Sequence, residues 1–233
     1  MLDPKFQRPP TTQEAVLDEL RELIRSGQLG PGEHIVQDSL ADDMGISRVP
    51  LREALKVMQA EGHVTYAAHR GYVVTELSID DLREIHRIRE LIEPEAIRAA
   101  MANMTPAGVR AIQDLEQEVR AAAATGDVMA MSHANRRFHA ALLEPCRLPR
   151  LLWHIRLLWD ATEVYRLMLY TDDSGRERVE SEHRRVVEAV VSGDADAVAH
   201  ELAEHRTHAF DVLCGLSDGS GGDGVTTVSD VAI

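Results

Sequence analysis

"GISRVPLREAL", residues 45–55, decides what the first third of this chain is. Gly45 stops the segment before it. Ser47 stands where a helix N-cap belongs, because its hydroxyl can accept from the first free backbone N–H groups. The helix it opens runs to about Ala60, with Leu51, Leu55 and Met58 on one face. Arg48, Arg52 and Lys56 fall at i, i+4 and i+8 and form a basic ridge on the other face.

The flanks give this helix a context. Upstream, Thr11 or Thr12 can cap a helix whose stripe is Val16, Leu20, Leu23 and Ile24, ending near Ser26 and Gly27. "GQLGPGE" (27–33) is a turn, and Gln37 or Asp38 starts a short helix through Met44, with Leu40, Ala41 and Met44 inward. Downstream, Glu61 and Gly62 close the helix. "VTYAAHRGYVVT" (64–75) then reads as two short strands joined by a turn at Gly71. Three helices and a hairpin in this order make a winged helix-turn-helix. A major groove admits one α-helix, and arginine can donate two hydrogen bonds to guanine O6 and N7. The N-terminal part of the second helix of the motif reads bases, which assigns Arg48 and Arg52 to bases and Lys56 to phosphate. Arg70, beside Gly71 at the hairpin tip, is placed for the minor groove or the backbone. A basic stripe alone is more often a solvated face, and it is the complete helix-turn-helix-wing context that reverses this reading. The candidate DNA-contacting set is Ser47, Arg48, Arg52, Lys56, Arg70 and Gly71.

Bulk composition bounds the remainder. The 233 residues suit one large or two smaller domains. Aromatics are only 4% while Ala, Leu, Arg and Glu abound, which favours helix over sheet and a mainly α fold. The net charge of −14 argues against indiscriminate nucleic-acid binding, so any DNA contact must come from a focused basic face. No secretory leader follows Met1. The greasiest run, "RLLWHIRLLW", is broken by His154 and Arg156, so no membrane span is expected. Two cysteines, Cys146 and Cys214, suit reduced thiols in a cytoplasm.

The expected domains are a flexible arm at 1–10, the winged helix-turn-helix at 11–75, a linker at 76–78, an all-helical domain at 79–215 and a disordered Gly/Ser/Asp-rich tail at 216–233. Six helices are expected in the helical domain, at 79–103, 106–125, 127–144, 148–170, 175–192 and 194–215. Four of them carry polar groups on apolar faces. Arg89 lies within the stripe Leu82, Ile85, Ile92 and Ala96. Asn135 lies in the stripe Val128, Met131, Phe138 and Leu142, with His139 at its edge. His183 lies among Val179, Val186, Val187 and Val190, and His205 among Val198, Leu202, Ala209 and Val212.

A single inward histidine is more often a hydrogen-bonded core residue than a ligand. Three on separate helices of one bundle make a metal site an even alternative, because bundles build such sites from facing helices. Imidazole suits Zn, Ni, Cu and Fe. A guanidinium on an apolar stripe needs an anion, either Glu93 one turn away or a carboxylate from outside. Arg166 and Tyr165 are candidates to line the same cavity, whereas Trp153 and Trp159 read as core. The remaining histidines (His34, His63, His69, His86, His133, His154, His200 and His208) read as surface or core.

Residues 11–75 resemble the DNA-binding domain of the GntR family of bacterial transcription regulators, through "GQLGPGEHI", "LADDMGISRVPLREAL", "EG" and "RGYVV". The resemblance implies Arg48, Arg52 and Gly71 at the DNA. Some members carry a basic residue where this chain has Asp38. Residues 79–214 resemble the ligand-sensing FCD domain of the FadR-like branch, in its smaller six-helix VanR-like variant. The segments that carry this are "DLREIHRIRELIEPEA", "NRRFHAALLE" and "ESEHRRVVEAVVSGDADAVAHELAEHR". Many relatives bind a metal through Asp-x-x-x-His and two further histidines. Those positions fall on Asn135, His139, His183 and His205, the first being Asn instead of Asp.

The expectation is therefore a cytoplasmic, homodimeric regulator, most simply a repressor, that binds an inverted-repeat operator. Zn or Ni would sit on Asn135, His139, His183 and His205, with a small carboxylate effector near Arg89, Arg166 and Tyr165. Two other classes remain: a metalloregulator for which the metal is itself the signal, and a metal-dependent hydrolase. The hydrolase lacks any paired acid/base motif, nucleophile elbow or phosphate loop.

Overall fold

The computed structural model describes residues 12–68 and 70–217, so the expectations for the N-terminal arm, for Thr11 and His69, and for the tail beyond Ser217 lie outside the described residues. The described chain divides into two units, Met1–Glu76 and Leu77–Ile233 by their contacts, each built around its own core.

The first unit comprises α1 (Thr12–Arg25), α2 (Gln37–Asp43), α3 (Arg48–Ala60), β1 (Val64–Ala67) and β2 (Gly71–Val74). Leu20, Leu51, Ala54, Leu55 and Met58 are fully buried, and Val16, Ile24, Ile35, Val64, Tyr72 and Val74 close around them. The apolar side of α3 is thus the keel of the unit, which leaves its other side to solvent. The hairpin is antiparallel with Val64 opposite Val74 and Ala67 opposite Gly71. Gly71 opens β2 rather than forming the turn, which is closed by the Arg70 N–H on the Ala67 carbonyl. Its φ of +82° is one that a side-chain-bearing residue rarely adopts, which explains glycine there. Ser47 occupies the N-cap of α3 with extended backbone, but its hydroxyl makes no capping hydrogen bond, contrary to the sequence reading.

The second unit contains α4 (Ile79–Ala102), α5 (Pro106–Thr125), α6 (Val128–Leu143), α7 (Pro149–Arg166), α8 (Asp173–Ser192) and α9 (Ala195–Ser217). The predicted 148–170 helix is two pieces, because the chain tightens after Arg166 into a 3₁₀ turn, Leu167–Tyr170. Local chemistry sets the other ends. The Ser78 side chain and Asp81 form a capping box on α4, and Thr105 and Asp127 cap α5 and α6. Gly126 and Gly193 terminate α5 and α8 in left-handed conformation. The core centres on Met131, Phe138, Ile112, Val186 and Ile155, all nearly or fully buried. Val212, placed on the apolar stripe by the wheel, is instead 38% exposed, and Leu213 beside it is buried.

α8 starts at Asp173, two residues before the 175 expected from the sequence. Asp172 caps it by accepting from the Gly175 N–H at 2.7 Å, so Gly175 lies inside the first turn and not in a loop. A Cβ on Gly175 would stand 2.2 Å from the Leu169 carbonyl oxygen, part of the 3₁₀ turn. The Gly175→Ala variant is expected to lose about 2 kcal/mol or more through this clash. A thermal unfolding midpoint equal to wild type would show that the backbone relaxes freely there.

Candidate functional site

On the first unit, α3 presents Arg48, Arg52 and Lys56, all exposed, in one line. They are not equally available. Arg48 Nε lies 2.6 Å from Asp38 Oδ1 on α2, and Lys56 is paired with Glu53 at 2.7 Å. Arg52 has no ion pair among the described residues. The free Ser47 hydroxyl precedes this ridge, and exposed Arg70 stands at the wing next to Gly71. The geometry offers one uncommitted guanidinium near the start of the helix, while the Arg48 guanidinium and the Lys56 ammonium are held by their own domain's carboxylates.

In the second unit the three inward histidines converge. α6 supplies His139, α8 His183 and α9 His205, with ring centroids 5.0 Å (139–183), 5.1 Å (139–205) and 4.9 Å (183–205) apart. One ligand nitrogen from each lies within 4.8 Å of the others. His183 is 0% exposed and stacks on Phe138, while His139 is as deeply buried as Asn135, not at the helix edge. Asn135 Oδ1, His139 Nε2 and both ring nitrogens of His183 are buried without a hydrogen-bond partner. Buried polar atoms in native proteins are almost always satisfied, so several orphans in one region of the core make it a candidate place for a ligand. Burial, then the neighbouring imidazoles, holds the His139 and His183 pKa well below the ordinary value, so both rings are neutral and keep a lone pair to donate.

The third ring is held from behind by groups the sequence reading missed. Glu182, itself buried, accepts from His205 Nδ1 at 2.7 Å and from His208 Nδ1 at 2.6 Å. Burial pushes the Glu182 carboxyl up, but hydrogen bonding and charge from His205 and His208 outweigh it and leave the pKa lowered. A carboxylate on Nδ1 fixes the tautomer and directs the Nε2 lone pair forward, the arrangement that metal-ligating histidines use. The i, i+3 spacing of His205 and His208 was the available signal. The donor set of three imidazoles, with one amide oxygen a turn before His139, suits Zn²⁺ or another divalent transition metal.

Beside the histidines lies a charged knot. Glu93 accepts from Arg89 Nε at 2.7 Å, Arg206 Nη1 at 2.6 Å and Trp159 Nε1 at 3.0 Å. Arg89 therefore takes the internal partner that the sequence left as one of two alternatives. Burial opposes ionisation of Glu93, yet Arg89 and Arg206 outweigh it and hold its pKa below the carboxylate norm. Arg166 donates to Thr162 Oγ1 and the Trp159 carbonyl, with Glu163 at 3.3 Å. The Arg89 and Arg166 guanidiniums stand 4.9 and 4.7 Å from the Trp159 ring centroid. Trp159 is thus a platform for cations as well as core, and Trp153 is 54% exposed rather than core. Tyr165 is not brought to this knot: its hydroxyl accepts from the Leu77 N–H at 2.8 Å, among Leu77, Leu82 and Leu213. A cavity of about 310 Å³ opens against His139 and Trp159, walled by Arg136, Leu143, Leu152 and Ile155.

A winged helix-turn-helix joined to a helical unit with a buried ligand centre defines a sensor-type transcription regulator. Residues 12–74 match the model of the bacterial regulatory proteins of the gntR family, and residues 84–208 match the FCD domain. The chain belongs to the GntR family and carries an FCD ligand-binding domain. It is similar to the HTH-type regulator YdhC of Bacillus subtilis, 27% identical over 89% of this chain and 93% of that protein. It is also similar to McbR of Escherichia coli, 29% identical over 81% of this chain and 86% of that one. The solved structure of E. coli McbR/YncC superposes with a TM-score of 0.82 at 25% identity, covering 89% of this chain and 99% of that one. A GntR regulator from Rhodococcus sp. RHA1 shares the fold at 20% identity, TM-score 0.74, over 87% and 97% of the chains. The family and these relatives are regulators of transcription, and the chain is not an enzyme. Among the described residues no helix is long and apolar enough to cross a membrane.

Proposed function

We propose that the protein is a homodimeric repressor of an inverted-repeat operator, released or tightened by a small organic acid bound beside a divalent metal, Zn or Ni, in the helical unit. Ser47, Arg48, Arg52, Lys56, Arg70 and Gly71 face DNA; His139, His183 and His205 hold the metal with Asn135 as a neutral fourth ligand; Arg89 and Arg166 attend the effector. The observation that carries this reading is the convergence of three inward imidazoles, two of them buried, with His139 Nε2 and both His183 ring nitrogens left without a hydrogen-bond partner among the described residues. Bound there, the metal supplies a Lewis-acidic position. Three imidazoles and an amide bring no negative charge, so a divalent ion in this interior favours an anion on its remaining position. An acid that binds one arrangement of the helices better than another shifts operator affinity by that difference.

Metal analysis of the purified protein tests the centre. One ion per chain is expected in wild type and almost none in His183→Ala. Chelation is expected to lower the thermal midpoint by several degrees, since a ligand at 100-fold its Kd contributes about 2.7 kcal/mol. A wild-type chain that carries no metal, takes none up and melts identically with chelator would end the metal reading.

A further inference from the structure

The charged knot leaves donors unused. Arg89 spends Nε on Glu93, and neither of its terminal nitrogens has a hydrogen-bond partner among the described residues. Arg206 spends Nη1 on the same carboxylate, while its Nε is buried with no partner. Their side chains are 12% and 4% exposed. Two interior cations therefore share one carboxylate. Arg166 and Arg136 share Glu163, and Asp160 serves Arg136 as well. Counted through Trp159, which contacts Glu93, Arg89 and Arg166, this connected set holds one guanidinium more than it has carboxylates. An uncompensated charge is costly in a protein interior, so the set is short of one anion.

The space for it is present. Arg89, Arg166 and Arg206 wall a cavity of about 30 Å³ that none of the three metal-site histidines lines. That exceeds the roughly 10–15 Å³ that a single water requires, so a small head group fits. Of the rest of the wall, His86 and Thr162 are polar, the first stacked on Phe210 and the second taken by Arg166, and Leu82, Ile85, Ala209, Phe210 and Leu213 make the remainder apolar. A sulfate or phosphate needs donors on every side, whereas a carboxylate with a short alkyl group meets both halves. The wider cavity beside His139 offers less to an anion, because Arg136 is held by Asp160 and Glu163, and Arg156 by Glu144.

We propose that the cavity between Arg89, Arg166 and Arg206 is an anion site for a short aliphatic monocarboxylate, bound by the guanidiniums and independent of the metal. It shares Arg89 and Arg166 with the effector reading above and uses none of the three metal-site histidines, so one experiment separates the two. Trp153→Phe leaves Trp159 as the single tryptophan, within 5 Å of two of the three arginines. Chelator-stripped protein in this background is titrated with butyrate, with neutral butyramide and with sulfate.

A saturable Trp159 response to butyrate is expected, with none to butyramide and a weaker one to sulfate. Ala209→Leu fills the cavity without touching the charges, and is expected to abolish the response with metal content unchanged. Should that variant melt early, Arg206→Lys is the second arm, with binding expected about tenfold weaker and unaltered helical circular dichroism. A butyrate response that needs metal, or that persists unchanged in both variants, overturns this site and leaves the metal-centred effector reading standing. A silent protein with metal content intact also overturns it. Sulfate binding more tightly than butyrate overturns the carboxylate assignment.

Discussion

Glu93→Ala is expected to lower the thermal midpoint of the helical unit by about 10 °C or more, the largest loss from a single side chain here. The carboxylate is 5% exposed and accepts hydrogen bonds from Arg89, Arg206 and the Trp159 indole at once. Removing it strands two guanidiniums and an indole N–H in the core and opens a void besides. Breaking a buried ion pair from one side costs about 3–5 kcal/mol, and each kcal/mol lowers the midpoint by roughly 2–4 °C in a chain of this size. Both tryptophans lie in the helical unit, so fluorescence follows its unfolding apart from the DNA-binding unit. Replacing the pair together, as in Glu93→Leu with Arg206→Met, should recover part of the loss, because apolar residues of similar volume often substitute for buried ions at little cost. A midpoint for Glu93→Ala within 2 °C of wild type would show that water reaches this knot and screens it.

Arg52→Ala is expected to abolish specific operator recognition while leaving the fold intact. The side chain is exposed on α3, and Leu51, Ala54 and Leu55 around it carry the packing. A bidentate guanine contact is worth about 1–3 kcal/mol, and a dimer makes it twice, so affinity should fall roughly 30-fold to 10⁴-fold. The comparison uses duplexes selected from a random pool by the wild-type protein, in a gel shift at fixed salt. Lys56→Ala is the contrasting variant, with binding weakened evenly across sequences and a shallower salt dependence. If Arg52→Ala retains full affinity and sequence preference, α3 does not read bases through this residue.

The winged unit was legible because its signals are local. Gly45, Ser47 and the two ridges of α3 sit within fifteen residues, and periodicity alone tells which side packs. The wheels of the helical unit also turned His183 and His205 to the apolar side, but set His139 at the edge of a stripe in which the structure buries it. What they could not supply was the partner from another helix. Glu93 meets Arg206 from 113 positions away and Trp159 from 66, so only the folded bundle reveals a shared carboxylate. Glu182 was passed over for the same reason, and His208 with it. Tyr165 went astray because a hydroxyl on a helix face can turn to any backbone N–H within reach, here that of Leu77. The sequence puts the start of α8 at 175 because capping residues such as Asp172 and loop residues share a composition. The crowding against Leu169 that demands glycine exists only once the 3₁₀ turn has formed.

The contact between Arg48 and Asp38 bears on how such a protein avoids the wrong DNA. A guanidinium tethered to its own domain's carboxylate must exchange that partner for a base or a phosphate, and Asp38 is then left facing a polyanion. Random duplex returns only phosphate contacts, which do little to offset this exchange; a site with a correctly placed guanine returns a bidentate pair as well. In the DNA-bound state proposed above, Asp38 is therefore a competitor carried within the reading head, worth about 1 kcal/mol or less because both partners are largely exposed. On that reading the pair subtracts up to this amount from binding to any duplex, and a site with the right guanine returns it.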